Sequence, residues 1–278
     1  MNRECPTIIP YQGGKVTLGK ILVPMIPSHK RYIEVFVGGG SIFFRKNKVK
    51  VNILNDKHSD LVNLYMVISQ QYDEFKSECD ALLKSRILYD NMREELKTDI
   101  DYESIPNVRR ASRYFYVIRN AFNSSPINPM SKYSAWNKSV YSSLQDSREK
   151  LEKTMIENLD FRVLLKKYPP KENDFWYLDP PYFVAGDRGD YYLNNLNAQD
   201  HIELYEMVNT IDREGGKVMV SYDDREEVIN MYSNFNIMKI PVKYSAQIHS
   251  DKLKNELVIT NYDIETEQYK TLGALFNK

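Results

Sequence analysis

Cysteine is nearly absent from this 278-residue chain: Cys5 and Cys79 share no metal-ligand spacing and cannot build a disulfide framework, so a reducing compartment is the simpler expectation. No stretch approaches the roughly 18 consecutive apolar residues of a membrane helix, and residues 1–15 hold no apolar core of a secretory signal. The expected location is therefore the cytoplasm, with no membrane partner. With 11 glycines, 12 prolines, 42% hydrophobic and 27% charged residues, collagenous, low-complexity and disordered classes are excluded. Net charge is also lacking, since 38 basic residues meet 38 acidic ones, and over the whole chain this counts against a nucleic-acid partner. The four histidines, His29, His58, His201 and His249, form no ligand pattern, and no metal is expected.

The zero average hides a segregation. Between Tyr72 and Ser104 ten acids face five bases, whereas from Ile105 to Gln145 there are Arg109, Arg110, Arg113, Arg119, Lys132 and Lys138 and no acid. The same stretch carries Tyr114, Phe115, Tyr116, Phe122, Tyr133, Trp136 and Tyr141. Basic side chains neutralise phosphates and aromatic faces stack on bases, so the mixture reads as a nucleic-acid surface. It reads equally as a helix with a solvated basic side and an aromatic core side.

Hydrophobic patterning places the elements. Arg31 to Val37 fits a buried strand, followed by Gly38-Gly39-Gly40-Ser41 and a helix start at Ile42-Phe43-Phe44. A second strand, Val51 to Leu54, ends in Asn55-Asp56, and Asp60 to Gln70 has the spacing of an amphipathic helix. Two helices are expected near Asp73 to Lys97 and Val108 to Phe122, then a Ser/Asn/Pro-rich stretch, together a helical insertion. The sheet resumes with Phe175 to Leu178, continues through a helix at Asp200 to Arg213 and a strand at Gly216 to Ser221, and then a helix at Arg225 to Tyr232. It closes with strands at Asn236 to Val242 and Glu256 to Asn261 as an antiparallel edge. The loop from Phe183 to Asn197 is the expected mobile segment. This is the alternation of a doubly wound α/β sheet, and the length allows one such domain with an insertion or two modest domains.

Two motifs carry chemistry. Glycines after a first strand let a ligand approach the backbone, and a carboxylate at the tip of the second strand, Asp56, is placed to accept from both hydroxyls of a ribose. A dinucleotide fingerprint would need glycine where Phe43 stands, so a nicotinamide cofactor is not indicated. The alternative is a purely structural turn. Asp179-Pro180-Pro181-Tyr182 is sharper: it ends a buried strand, where open α/β sheets bind ligands, and the prolines fix the chain and leave carbonyls free to accept. A carboxylate and a carbonyl converging on one point accept both protons of an amino group while Tyr182 stacks on the base that carries it. Holding both N–H bonds from outside the ring plane returns the lone pair to nitrogen. The alternative is a strand-ending proline turn.

At this point the chain resembles the Dam-type DNA adenine methylases, which transfer a methyl group from S-adenosylmethionine to the exocyclic N6 amine of adenine. Tyr11-Gln12-Gly13-Gly14-Lys15, Glu34 to Ser41, Asn55-Asp56 with Asp60 to Tyr65, Asn158-Leu159-Asp160-Phe161, Ser221-Tyr222-Asp223 and Asn255 to Tyr262 are similar to the family's blocks, in its order. The resemblance implies a Rossmann-like methyltransferase sheet in residues 1–71 and 146–278, and a helical target-recognition insertion in residues 72–145. It implies that Tyr11, Lys15, Phe36, Gly38, Gly40, Ser41, Asp56, Asp160 and Phe161 bind S-adenosylmethionine, with Asp56 on the ribose and Asp160 and Phe161 on its adenine. Phe36 is alternatively a core strand residue, Asp160 a helix cap, and Lys15 a phosphate or active-site group. Asp179, Pro180, Pro181 and Tyr182 would grip an adenine flipped out of double-stranded DNA, contacted by Arg109, Arg110, Arg113, Arg119, Asn123, Lys132 and Lys138. The cofactor supplies the hard chemistry, so neither a metal nor a covalent nucleophile is required.

The departures bear on specificity. Tyr11 stands where many members have Trp, Pro10 where a DNA-contacting Lys is common, and Ser124 where Gly usually follows Phe122-Asn123. Ile127 falls near the position where GATC-reading relatives carry an Arg, the side chain that commonly reads guanine, so a site other than GATC is expected. Methylation of RNA or protein amines, and an inactive cofactor-binding protein, are the competing readings; the acid-free basic insertion disfavours a protein substrate, and the intact Asp179 to Tyr182 segment disfavours inactivity.

Overall fold

The computed structural model of the chain describes residues 7–11, 14–100, 104–134, 136–142, 144–182, 196–242 and 254–264. Cys5, Gln12, Gly13, His249 and residues 183–195 of the loop expected to be mobile lie outside the described residues. In chain order the elements are α1 (Gly19–Leu22), β1 (Arg31–Glu34), β2 (Val51–Asn55), α2 (Ser59–Gln70), α3 (Tyr72–Asp80), α4 (Arg86–Glu95), α5 (Val108–Asn120), α6 (Ser139–Ser142), α7 (Gln145–Leu151) and β3 (Met155–Glu157). There follow α8 (Phe161–Lys167), β4 (Asp174–Leu178), α9 (Ala198–Arg213), β5 (Lys217–Asp223), α10 (Glu226–Met231), β6 (Asn236–Val242) and β7 (Lys254–Thr260). The chain divides into two compact units, one of Met1–Val16, Val37–Lys48 and His58–Asn158, the other of Thr17–Phe36, Val49–Lys57 and Leu159–Lys278.

The second unit holds six strands of a seven-stranded sheet, in the order β2-β1-β4-β5-β7-β6. Pairing is parallel from β2 through β1 and β4 to β5, and antiparallel where β7 inserts between β5 and β6. This is the doubly wound sheet with an antiparallel edge that the patterning predicts. β4 is buried along its whole length, as expected of a central parallel strand. One of its faces stacks Phe175 on Tyr32. The other places Trp176 and Leu178 with Ile33 and Val220, under Leu164 of α8, Leu204, Val208 and Ile211 of α9 and Val228 of α10. Each fully buried side chain of this size contributes roughly 1.5–3 kcal/mol. Arg31 pairs with Asp174 at the strands' starting ends (Nε to Oδ1 2.8 Å), where the two residues are in register.

Strand order reverses between β1 and β4, since β2 lies on one side of β1 and the chain returns to its other side. Such a switch point opens a crevice at the carboxyl ends of the strands. The ladder of β1 stops at Glu34, three residues short of the expected end; Val35 still donates to Tyr177 (3.0 Å), after which the backbone bends.

The first unit is built around α5, which packs on α2, α3 and α4. The expected long helix from Asp73 is two helices, because Ser85 caps α4 by accepting from the Leu88 amide (3.4 Å). The Tyr116 hydroxyl holds the linker between them, donating to Leu83 and accepting from the Ser85 amide. Trp136 Nε1 donates to Leu82 (2.9 Å) in the same linker. The helix start expected at Ile42 is a series of turns: Phe44 bonds back to Gly40 and Lys46 to Ile42, but Arg45 bonds to Ile42 with the tighter i+3 spacing, and the polar run from Lys46 ends it.

Candidate active site

The register of β4 and β5 pairs Leu178 with Val220, which sets the next residues, Asp179 and Ser221, side by side. Ser221, wholly buried, donates its hydroxyl to Asp179 Oδ1 (2.8 Å), and Tyr177 lies 2.9 Å from Ser221 Oγ, which leaves Tyr177 as the donor in that second bond. Asp179 is half-buried, and Pro180 behind it is buried. The carboxylate is thus aimed by a two-hydroxyl relay anchored in the sheet. Burial, with the nearby Asp179 charge, pushes the Tyr177 phenol well above its ordinary value, so it stays a donor.

The half-buried Tyr182 directs its hydroxyl at Glu256 of β7, 2.7 Å from Oε2 and 3.0 Å from Oε1. Its ring lies 6.3 Å from that of Tyr222, tilted by 32°. The Tyr222 hydroxyl is in turn 2.8 Å from Nδ1 of the buried His201. His201 therefore supports this aromatic wall, and burial lowers its pKa to about 4.

In the same unit, Asn55 at the end of β2 is the hub of the expected cofactor residues. Its amide nitrogen donates to the carbonyls of Val35 (2.9 Å) and Leu159 (3.0 Å), and its oxygen accepts from the Leu159 amide (3.0 Å). The residues that follow these three in the chain are Phe36, Asp160 and Asp56, so one side chain gathers them. Asp56 is buried (8% exposed) at the carboxyl end of a parallel strand. The Phe36 and Phe161 ring centroids are 6.1 Å apart, with their planes tilted by 48°. Asp160 is the N-cap of α8, accepting from the Arg162 amide (3.0 Å), and Lys57 and the Arg162 guanidinium also reach it. Despite its partial burial, these donors hold its carboxyl below the usual range. Arg162 continues to Asp200 and Glu203 and lies 4.3 Å over Phe161, fixing that ring.

The first unit holds the glycine turn. Gly38 and Gly40 have φ of +47° and +73°, which for other L-residues costs about 1–2 kcal/mol each. A side chain at Gly40 would strike Phe44 and the Tyr65 hydroxyl, both at 2.6 Å, and one at Gly38 would press on the Tyr11 ring. Tyr65 donates to the Gly38 carbonyl (2.9 Å). Tyr11, the glycines and Ser41 are therefore one cluster, and Lys15 is buried beside the opening segment in sequence.

The basic stretch divides between the two readings left open by its composition. Tyr114, Phe115, Tyr116 and Tyr141 are core residues, and Trp136 packs partly buried on the cluster around Tyr89. Phe122 and Tyr133 are exposed, at 55% and 94%, together with Arg109, Asn123, Lys132 and Lys138. Arg110 instead clamps Asp60 through both carboxylate oxygens (2.6 and 2.9 Å) and donates to the carbonyls of Glu95 and Thr98. Arg113 pairs with Glu95. Arg119 lies 5.2 Å over Phe115 and bonds to the Ile8 carbonyl, and burial lowers its pKa to about 10. Among the described residues, no group of three or more His, Cys, Asp or Glu is arranged to hold a metal, and no helix is long and apolar enough to cross a membrane.

Sequence reasoning assigned no role to Tyr177, Ser221, Asn55 or Glu256. Their signal was positional: Tyr177 shares a strand face with Asp179, and the other three stand inside or beside the quoted blocks.

A switch-point crevice with a strand-ending Asp-Pro-Pro-Tyr on β4, and an acidic tip two strands away on β2, is the arrangement of an α/β enzyme that binds its ligands at the carboxyl ends of its strands. The chain belongs to the D12 class N6 adenine-specific DNA methyltransferase family, whose model matches residues 11–246. It is similar to the type II methyltransferase M.MjaIII of Methanocaldococcus jannaschii, 25% identical over 93% of this chain and 100% of that one. The type II methyltransferase M1.LlaDCHI of Lactococcus lactis subsp. cremoris is 26% identical over 91% of this chain and 94% of its own. M.CviBI of Paramecium bursaria Chlorella virus NC1A, also a type II methyltransferase, is 26% identical over 92% of this chain and 99% of its own. The protein is thus an adenine-specific DNA methyltransferase, and its reaction requires a methyl donor.

Proposed function

We propose that this enzyme methylates the N6 amine of an adenine flipped out of double-stranded DNA, with S-adenosylmethionine as donor, at a sequence other than GATC. The observation that carries the reading is the aimed carboxylate: Asp179 stands at the strand-order switch with Oδ1 held by Ser221. Asp179 and the Pro180 carbonyl accept the two N–H bonds of the amine, and Tyr182 stacks on the base. Accepting both protons favours a pyramidal nitrogen and strengthens as the amine becomes a cation, so it acts on the transition state more than on the bound base.

The residues present fit the donor. An acidic side chain at a strand tip suits a ribose, and Phe36 with Phe161 suits a purine ring. With the Asp160 carboxylate engaged as a helix cap, its share in the adenine site falls to the backbone around it. The family resemblance adds Tyr11, Lys15, Gly38, Gly40 and Ser41. When bound, S-adenosylmethionine supplies an activated methyl group that the amine displaces directly. Residues 72–145 serve as the recognition segment, where the exposed Arg109, Asn123, Lys132 and Lys138 contact DNA, with Arg113 and Arg119 beside them, and Arg110 braces α5.

Asp179→Ala is expected to abolish methyl transfer to DNA while leaving S-adenosylmethionine affinity within a few-fold; retained activity overturns the assignment. DNA treated with the enzyme should remain open to a nuclease that methylated GATC blocks, because Ile127 offers no donor to guanine; protection refutes the site preference.

A further inference from the structure

Glu256 has no part in the reading above, yet its placement is unusual. It lies inside β7, in register with Asp223 on β5 and Ile240 on β6, and is 1% exposed. The three residues after it, Leu257, Val258 and Ile259, are apolar and buried. A carboxylate at such a place carries a desolvation penalty that an apolar residue of similar volume would avoid. Both of its oxygens lie within hydrogen-bond distance of the Tyr182 hydroxyl.

We propose that Glu256 is a positioning residue for methyl transfer: by holding the Tyr182 hydroxyl it fixes the ring at the angle at which it stacks on the target base, while Asp179 and Pro180 grip the amine. The inference rests on the proposed role of Asp179 to Tyr182. A tyrosine ring has two side-chain torsions, and Tyr182 is packed on the core along one side but only partly buried, so a hydrogen bond at its hydroxyl adds a constraint that packing does not supply. A hydrogen bond to a buried acceptor is electrostatically stronger than one in water, and it defines the ring's far end. Misplacement of a reacting group by about 1 Å can lower a rate by about 100-fold, so a slack ring weakens transfer more than binding. Burial together with the charges of Asp179 and Glu256 keeps the phenol protonated, which preserves the donor.

The test measures single-turnover transfer of labelled methyl groups from S-adenosylmethionine to genomic DNA of a methylation-free host. Tyr182→Phe and Glu256→Leu are each expected to lower the rate between about 10- and 100-fold, with DNA and cofactor dissociation constants within about threefold. Glu256→Gln, which keeps an acceptor of the same shape, should recover to within about threefold of wild type. The Tyr182→Phe/Glu256→Leu double variant should be no slower than the worse single variant by more than about twofold. Losses that multiply in the double variant, or a Tyr182→Phe enzyme at the wild-type rate, overturn the proposal, and the latter arm stands even if Glu256→Leu fails to fold. Asp179→Ala run in parallel separates the levels: if it is inactive while Tyr182→Phe is normal, the positioning role alone fails, whereas an active Asp179→Ala enzyme removes the reading beneath it.

Discussion

Removing the Ser221 hydroxyl should turn a neighbouring substitution from harmful to helpful. In the native protein Tyr177 donates to Ser221 and Ser221 to Asp179, all with Tyr177 and Ser221 at most 1% exposed. Tyr177→Phe removes one ordinary hydrogen bond and should destabilise by about 1 kcal/mol. Ser221→Ala removes two bonds and strands the Tyr177 hydroxyl without water, a cost of about 2–4 kcal/mol in total, of which the stranded hydroxyl accounts for about 1–3. In that background Tyr177→Phe deletes the stranded group, so it should stabilise by about 1–2 kcal/mol. The assay is urea unfolding of the four proteins, with the coupling taken from the double-mutant cycle. Methyl transfer is measured beside it: Ser221→Ala should be slower by about 10-fold because Asp179 loses its aim, and adding Tyr177→Phe should restore stability without restoring rate. If Tyr177→Phe destabilises equally in both backgrounds, or Ser221→Ala transfers at the wild-type rate, the relay is wrong.

Three further outcomes are expected. Ser124 adopts φ +53°, a region that favours glycine, and Ser124→Gly should raise stability by about 0.5–1 kcal/mol once the greater freedom of unfolded glycine is subtracted; urea midpoints decide. His201 has a pKa of about 4 when folded against 6.5 when exposed, so the unfolded chain binds the extra proton, and stability present above pH 6.5 should fall by up to about 3 kcal/mol as pH drops toward 4. His201→Leu should flatten that part of the pH profile. Arg110→Lys should destabilise by about 2 kcal/mol despite conserving charge, because one ammonium cannot replace the two-oxygen clamp on Asp60 together with the carbonyl bonds; no change in the unfolding midpoint would contradict this.

Much of the sheet was legible because its strands are continuous apolar runs: Phe175 to Leu178, Val218 to Val220 and Leu257 to Ile259 have no competing period. β3 was invisible, being three residues long and ending in Glu157. The break between α3 and α4 was missed because apolar spacing runs across the local Ser85 cap, while the Tyr116 hydroxyl that holds the linker comes from 31 positions away. The carboxylate, the prolines and the glycine turn were readable as chemistry, since few other residues do their work. Their supports were not. Tyr177, Ser221 and Glu256 resemble ordinary strand residues until register shows which atoms meet, and Arg110 looks like a phosphate ligand until Asp60 is found beneath it.

The side chain of Asn55 ties together two chain points 104 positions apart. From the standpoint of evolution or engineering, it works as a buckle: everything threaded between Lys57 and Leu159 leaves and returns through ends whose separation is already fixed. The entropic penalty of closing such a loop grows only with the logarithm of its length. Insertions and deletions of quite different size in the chain between these two points should therefore leave the acidic tip and the capped helix intact, provided α2 and β3 are kept.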